Sequence, residues 1–549
     1  MPLLPASFFQ PPTPSILLLV PPSSPIQWLI RFSIFLLALA SLPFLAILTP
    51  LSILCLTSPI AAIRQLAPLP IHPDNLPPKR TRRDSILRGV IAYFLGGCIW
   101  SITGIGTAPE FSHSGARRLA HIVAWLVNYF GGYGRSASRL EVTEETIPPF
   151  PDELNVGIFA NKDLHKPRIE ALWLHHVLVD SPSTRIPSSS GSPPSQRRVF
   201  LFFGGGGYVT GWPLVHPFVF SLTRSFPPLS RQDLPIGDLP AFAVFAPNVR
   251  KSLSRERAFP VPVLDGLAAY THLRCKGYRP EEITLMGDSA GGGLAWSVAA
   301  YLAILQESQT RRQGAKAGAD LGVPGALVLI SPWLALPPTP PTGYPDLINE
   351  PQLLNAARCY LARYPLLKHR PDPFSSDLSV WLAALSHSAT RLSHIVLTPF
   401  FPWRRWTKDR HHTMAQSLSE HVLQPRRLRR VPPDLQCWLD ESTFEQLSSH
   451  HPFVSPSTDI DSPFVTRVLD TLAKHHTSLF VHCGSAEWFC DPSRHFASAA
   501  SRAGVETVLE EEAGGYHVES CVMPAELGGA GARLVNAIRA WSVTAANGR

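Results

Sequence analysis

The chain has 549 residues, a net charge of +8, 45% hydrophobic and only 16% charged side chains. Such a length and apolar share allow one large domain with appendages or two or three ordinary ones, and exclude a chain too polar to bury a core. The positive balance raises anionic lipid or nucleic acid as partners, but no recognised nucleic-acid motif accompanies the basic residues, so nucleic acid is not expected.

The first segment is apolar. Between Arg31 and Arg64 lie 32 uncharged residues, with FSIFLLALASLPFLAILTPLSILCL at their centre. A membrane-spanning helix needs roughly 20 apolar residues, so a membrane anchor is expected here, bent or ended by Pro43 and Pro50. A signal peptide cleaved near Ala38-Leu39-Ala40 is the competing reading. A second uncharged stretch runs from Gly89 to Pro109, after a basic loop with Lys79, Arg80, Arg82, Arg83 and Arg88. The excess of positive charge places that loop in the cytosol. One pass leaves the downstream domain cytosolic and two return it to the lumen, so the side stays open. The expected location is a membrane, that of the endoplasmic reticulum, with membrane lipid as a partner. Ala116 to Phe130 is apolar at helical spacing and reads as a helix packing on the domain.

Short apolar runs then alternate with helical patterns. Ala171 to Leu174, Val199 to Phe203, Ala241 to Ala246, Ile283 to Met286, Ala326 to Ile330, Ser478 to Val481 and Val505 to Leu509 read as strands. Val263 to Arg274, Gly292 to Leu305, Arg494 to Ala503 and Ala525 to Trp541 read as helices. Alternation of this kind predicts an α/β fold, a mostly parallel sheet covered by helices on both faces. Ligands in such sheets gather at the carboxyl ends of the strands. Between Ser331 and Ser478 the alternation breaks into a segment rich in Pro, Arg, Trp and His, including Phe401-Pro402-Trp403-Arg404-Arg405-Trp406 and Arg426 to Arg430. It reads as a solvated insertion, a lid or a membrane-touching cap. The expected organisation is a membrane-anchoring region over 1–110, a helical cap segment over 111–170, core over 171–340, a basic cap or insertion over 341–477 and the rest of the core over 478–549.

Two glycine-rich loops carry the chemistry. Gly287-Asp288-Ser289-Ala290-Gly291 fits G-x-S-x-G, with ITLM before it and a helical pattern after it. That context is a strand–turn–helix elbow on which a serine hydroxyl is exposed as a nucleophile. Gly204-Gly205-Gly206-Gly207-Tyr208 follows the strand VFLFF. No Gly-Lys-Ser/Thr follows, which argues against a phosphate loop. It is either a flexible turn or a source of backbone N–H groups for the oxyanion of acyl transfer. A serine nucleophile needs a base, and the base an orienting acid, in the order Ser, acid, His. Downstream, Glu487 and Asp491 are candidate acids and His517 the candidate base. The eight cysteines (Cys55, Cys98, Cys275, Cys359, Cys437, Cys483, Cys490, Cys521) show neither a CxxC pair nor Cys/His ligand spacing. No metal, disulfide framework or cofactor is expected from them.

On these motifs the chain resembles the hormone-sensitive-lipase-like branch of the α/β-hydrolases, which includes bacterial carboxylesterases and arylacetamide and sterol-acetate deacetylases. Gly204 to Gly211, Asn248-Val249-Arg250, Phe259-Pro260 with Asp265, Gly287 to Gly292, Ser331-Pro332-Trp333 and Pro452 to Pro456 match motifs of that family. The resemblance implies an α/β-hydrolase fold with Ser289 as nucleophile, His517 as base and Gly206, Gly207 and Ala290 as oxyanion hole, supported by Gly205. It puts Glu487 on the acid, ahead of Asp491, where the family more often has Asp. The implied substrate is a small hydrophobic ester. Two positions depart from the pattern: the family's histidine before the glycines is Gly204, and the tyrosine of its N-Y-R turn is Val249. The alternative is a weakly active or inactive binding protein for a small hydrophobic ligand, since the plant gibberellin receptors resemble this family but have lost the histidine.

Overall fold

A computed structural model of the chain describes residues 25–58, 60, 63, 90, 113–130, 138–178, 198–228 without 212 and 215, 242–311, 321–336, 346–364 without 349, 435–522 without 448 and 449, and 525–547 without 526 and 527. The second apolar stretch, the basic loop before it and the Trp/Arg-rich part of the insertion lie outside the described residues, apart from position 90.

Eight strands form one sheet in the order β1-β2-β4-β3-β5-β6-β7-β8. They are β1 (Ser138–Ile147), β2 (Ile169–Leu178), β3 (Arg198–Phe203), β4 (Phe242–Pro247), β5 (Ile283–Asp288), β6 (Ala326–Ile330), β7 (Ser478–Gly484) and β8 (Glu506–Glu512). From β4 to β8 every pairing is parallel; β1 and β2 add an antiparallel edge. The central strands RVFLFF, FAVFAP and ITLMGD are buried along almost their whole length, which is why they read as unbroken apolar runs. Side chains alternate between faces. Val199, Leu201 and Phe203 of β3 enter one core and Phe200 and Phe202 the other.

Helices cover both faces. The described ones are α1 (Pro25–Thr57), α2 (His113–Phe130), α3 (Pro217–Ser225), α4 (Val261–Cys275), α5 (Ala290–Arg311), α6 (Glu350–Tyr360), α7 (Glu441–Leu447), α8 (Pro463–Lys474), α9 (Cys490–Arg502), α10 (Glu519–Val522) and α11 (Gly529–Asn547). On one face α4, α5, α8 and α9 pack through residues such as Leu267, Trp296, Leu469 and Phe496. On the other, α2, α3 and α11 pack through Val123, Phe218 and Ile538.

The sequence reading placed no strand before residue 171. Yet β1 pairs with β2 over ten residues, from Ser138 opposite Leu178 to Ile147 opposite Ile169. Its first half buries Leu140 and Val142 and exposes Arg139 and Thr143, the alternation of an edge strand with one wet face. Among the described residues, no helix is long and apolar enough to cross a membrane; the expected spanning helix finds no support there. In α1, Pro43 and Pro50 lie within the helix. Ser41, Leu45, Thr49 and Ile53, spaced four apart, are buried, while Leu36, Leu39, Phe44, Ile47, Leu51 and Leu54 are exposed.

Candidate active site

The loops that leave the carboxyl ends of β3, β5, β6, β7 and β8 meet at one place. Ser289 follows β5 and precedes α5, with φ at +55°, the left-handed region that costs a residue with a Cβ. The sharpness of this turn explains its glycines. A Cβ on Gly287 would collide with the Gly291 carbonyl, and one on Gly291 with the Phe203 carbonyl. The Ser289 amide donates to the Ile330 carbonyl at 2.9 Å, which ties the elbow to β6.

His517, after β8, brings Nε2 to 2.8 Å from Ser289 Oγ although the two are 228 residues apart. Glu487, after β7, lies on the other side of the ring, its Oε2 3.6 Å from Nδ1. That is an ion-pair distance rather than a hydrogen bond. Neither Nδ1 of His517 nor Oε1 of Glu487 has a hydrogen-bond partner among the described residues. Substrate-free enzymes often hold such contacts long. Ser331, at the end of β6, donates its hydroxyl to Glu487 Oε2 at 2.7 Å and accepts the Val518 amide at 3.2 Å. Asp491, the other candidate acid, is in the first turn of α9, its side chain 69% exposed and paired with Arg494 at 2.8 Å.

The loop after β3 faces the elbow. The Gly205 amide donates to Asp288 Oδ1 at 3.0 Å, and a Cβ on Gly205 would run into that carboxylate. The residue before the serine thus anchors the glycine loop. His216 lies 3.2 Å from the other oxygen, Asp288 Oδ2. Burial lowers the His216 pKa, but the charge of Asp288 and its hydrogen bond together outweigh it and the net shift is upward. Gly206 and Gly207 both have positive φ, +111° and +63°. Their amides make no hydrogen bond among the described residues, and Ala290 opens α5, where N–H groups have no intrahelical partner. Together these donors can receive developing negative charge.

One side of the site is buried and aromatic. Tyr208 stacks on Tyr360 at 3.7 Å and on Trp333 at 5.9 Å, Trp333 on Phe489 at 5.8 Å, and Phe489 meets the His517 ring edge-on at 4.8 Å. Burial pushes the Glu487 carboxyl up to about 8, against the pull of the Ser331 hydrogen bond. His517 is lowered by burial, with Asp346 and Asp288 acting against it. Among the described residues, no group of three or more His, Cys, Asp or Glu could hold a metal ion.

The structure therefore brings together Ser289, His517, Glu487, Gly205, Gly206, Gly207 and Ala290, and leaves Asp491 outside. It also brings in Asp288, His216, Asp346 and Ser331, to which the sequence reading gave no site role. Asp346 accepts the His517 amide at 2.7 Å. No spacing rule marks it, because it is a single acid after Pro345. Ser331 sits in a motif matched by resemblance, and its positive φ of +44° is visible only in three dimensions. A second buried Ser–His contact, Ser138 with His176 at 2.9 Å, joins the edge strands. There the other ring nitrogen faces the Phe226 carbonyl at 2.8 Å rather than a carboxylate.

Residues 243–385 match a family described as the alpha/beta hydrolase fold. An acetyl-hydrolase of Streptomyces hygroscopicus is 37% identical over 139 residues, 25% of this chain and 37% of that protein. The carboxylesterase/phospholipase LipF of Mycobacterium tuberculosis is 31% identical over 170 residues, 31% of this chain and 36% of that protein. The chain thus spans little more than a third of these relatives. Among solved structures, a bacterial heroin esterase aligns at a TM-score of 0.37 with 16% identity, over 78% of this chain and 90% of that one. An esterase/lipase from an uncultured bacterium gives 0.35 and 18%, over 80% and 95%. The serine elbow lies inside the matched segment, so this part of the chain is similar to the alpha/beta hydrolase fold family.

Proposed function

We propose that the chain is a serine carboxylesterase or deacetylase that hydrolyses acyl or acetyl esters of hydrophobic alcohols. The observation that carries this reading is the 2.8 Å contact between His517 Nε2 and Ser289 Oγ on the strained elbow. Ser289 Oγ adds to the ester carbonyl carbon as its proton passes to His517 Nε2. The carbonyl π pair moves onto oxygen, where the amides of Gly206, Gly207 and Ala290 meet it; one such donor is typically worth about 2.7–4 kcal/mol. Glu487 stabilises the imidazolium through Nδ1. The tetrahedral intermediate collapses, the alcohol leaves with the proton from His517, and acyl-Ser289 remains. Water, giving its proton to His517, then attacks the acyl carbon and releases the acid and Ser289.

The apolar substrate class is supported by the aromatic row from Tyr208 to Phe489, and the acyl and acetyl reading by the names of the two relatives. A lipid surface, the endoplasmic reticulum membrane, is the proposed location. The exposed apolar side chains of α1 support a membrane contact there. A second reading, a binding protein on this fold, has one observation in its favour: the 3.6 Å gap between Glu487 and His517. Hydrolysis of p-nitrophenyl acetate by the full chain separates the two. Turnover by the wild type that falls to background in Ser289→Ala supports the enzyme, and equal slow rates in both overturn it.

A further inference from the structure

Asp346 lies between β6 and α6 and is 4% exposed. Its Oδ1 accepts the amide N–H of His517 at 2.7 Å and of Leu347 at 2.7 Å, and its Oδ2 accepts the amide N–H of Trp488 at 3.0 Å. His517 is the candidate base. Trp488 follows the candidate acid, Glu487. The two loops leave different strands, β8 and β7, and Asp346 is 171 residues from one and 142 from the other. One buried carboxylate therefore spans the loop of the base and the loop of the acid.

The span matters because the two catalytic groups do not hold each other. No hydrogen bond joins Glu487 to His517 Nδ1, so their register depends on what grips the loops from outside. Ser331 grips one side, through Glu487 Oε2 and the Val518 amide. Asp346 grips the other, at both peptides. Hydrogen bonds from amides to an ionised acceptor are the strong kind, and in a buried setting they fix geometry closely.

We propose that Asp346 is a positioning residue: its carboxylate holds the His517 and Glu487 loops in the register that lets the triad work. The inference rests on the ester-hydrolase reading. Asp346 also adds a charge to the site. Burial pushes its pKa up to about 6, His517 pulls it back and Glu487 pushes it further up. Above that pH it is a negative group that raises the pKa of His517 and, by reciprocity, of Glu487.

The test uses two variants of the full chain and p-nitrophenyl acetate from pH 5 to pH 9. Asp346→Asn keeps the shape, but its NH2 group opposes one of the amides it must bind. A misplacement of about 1 Å costs roughly a hundredfold. The expected result is a kcat lower by about ten- to a hundredfold with KM within about twofold. Its rising pH limb should also move to lower pH, because the negative neighbour of Glu487 and His517 is gone. Asp346→Glu keeps the charge and displaces both oxygens, so kcat should fall while the limb stays. Either variant with wild-type kcat overturns the proposal, as does a loss confined to KM or to melting temperature. A wild type that turns over no ester overturns the hydrolase reading and this inference with it. Active wild type beside equally active variants overturns the positioning role alone.

Discussion

Glu487 Oε2, 3.6 Å from His517 Nδ1, is the acid that sets the tautomer of His517 once the two close to hydrogen-bond distance. Burial raises its carboxyl to about 8 and lowers the imidazole, so near pH 7 both groups are drawn toward their neutral forms. A protonated Glu487 offers its own O–H to Nδ1. The ring proton then sits on Nε2 and faces the Ser289 hydroxyl, which leaves nothing to accept the serine proton. Ionisation of Glu487 reverses this. Turnover is therefore expected to climb from pH 6 and level off above about 8, read as kcat against pH. In Glu487→Gln the climb should vanish and kcat should fall by about 10⁴-fold, the cost of a wrongly held tautomer. Stability should move the other way. The ordinary value for this carboxyl is 4.5, and in the fold it is about 8. Between those values the native state binds more protons than the unfolded one, so the Glu487 contribution declines as pH rises. Urea midpoints of wild type against Glu487→Gln should diverge over that window, the wild type losing more.

At the scale of elements, the elbow and the glycine loop are one construction. Phe203 ends β3, and its carbonyl lies where a Cβ of Gly291 would go. Asp288 ends β5, and its carboxylate takes the Gly205 amide. Gly291→Ala is expected to cost about 1–3 kcal/mol by overpacking, measured by chemical denaturation. It should also lower kcat, because relief of the clash pushes the two loops apart. The same scale bears on the N-terminus. α1 exposes Phe44 at 58% and Ile47 at 70%, and α2 exposes Trp125 at 61% and Tyr129 at 66%. Deletion of residues 1–57 should abolish sedimentation with phosphatidylcholine vesicles while leaving ester turnover intact. Unchanged sedimentation would remove α1 from the membrane contact.

Across the whole molecule, the parts legible in the sequence are those with a strong local signal. β3 to β7 are short apolar runs between helical patterns, β8 shows only the short Val505 to Leu509 signal before a run of glutamates, and the serine elbow is a local strand–turn–helix. The choice of Glu487 over Asp491 needed the resemblance, because two acids four residues apart look alike until one is buried beside His517 and the other pairs with Arg494. β1 escaped notice because its last half, Glu144-Glu145-Thr146, is mostly polar and is held by its long pairing with β2. Asp346 escaped because its meaning lies in two amides far along the chain. The central claim is that Ser289 is a nucleophile activated by His517. Labelling of the full chain with a fluorophosphonate, followed by peptide mass spectrometry, tests it most directly. The account predicts one adduct, on Ser289, whose rate of formation falls sharply in His517→Ala. An adduct on another residue, or equal labelling with and without the imidazole, would contradict it.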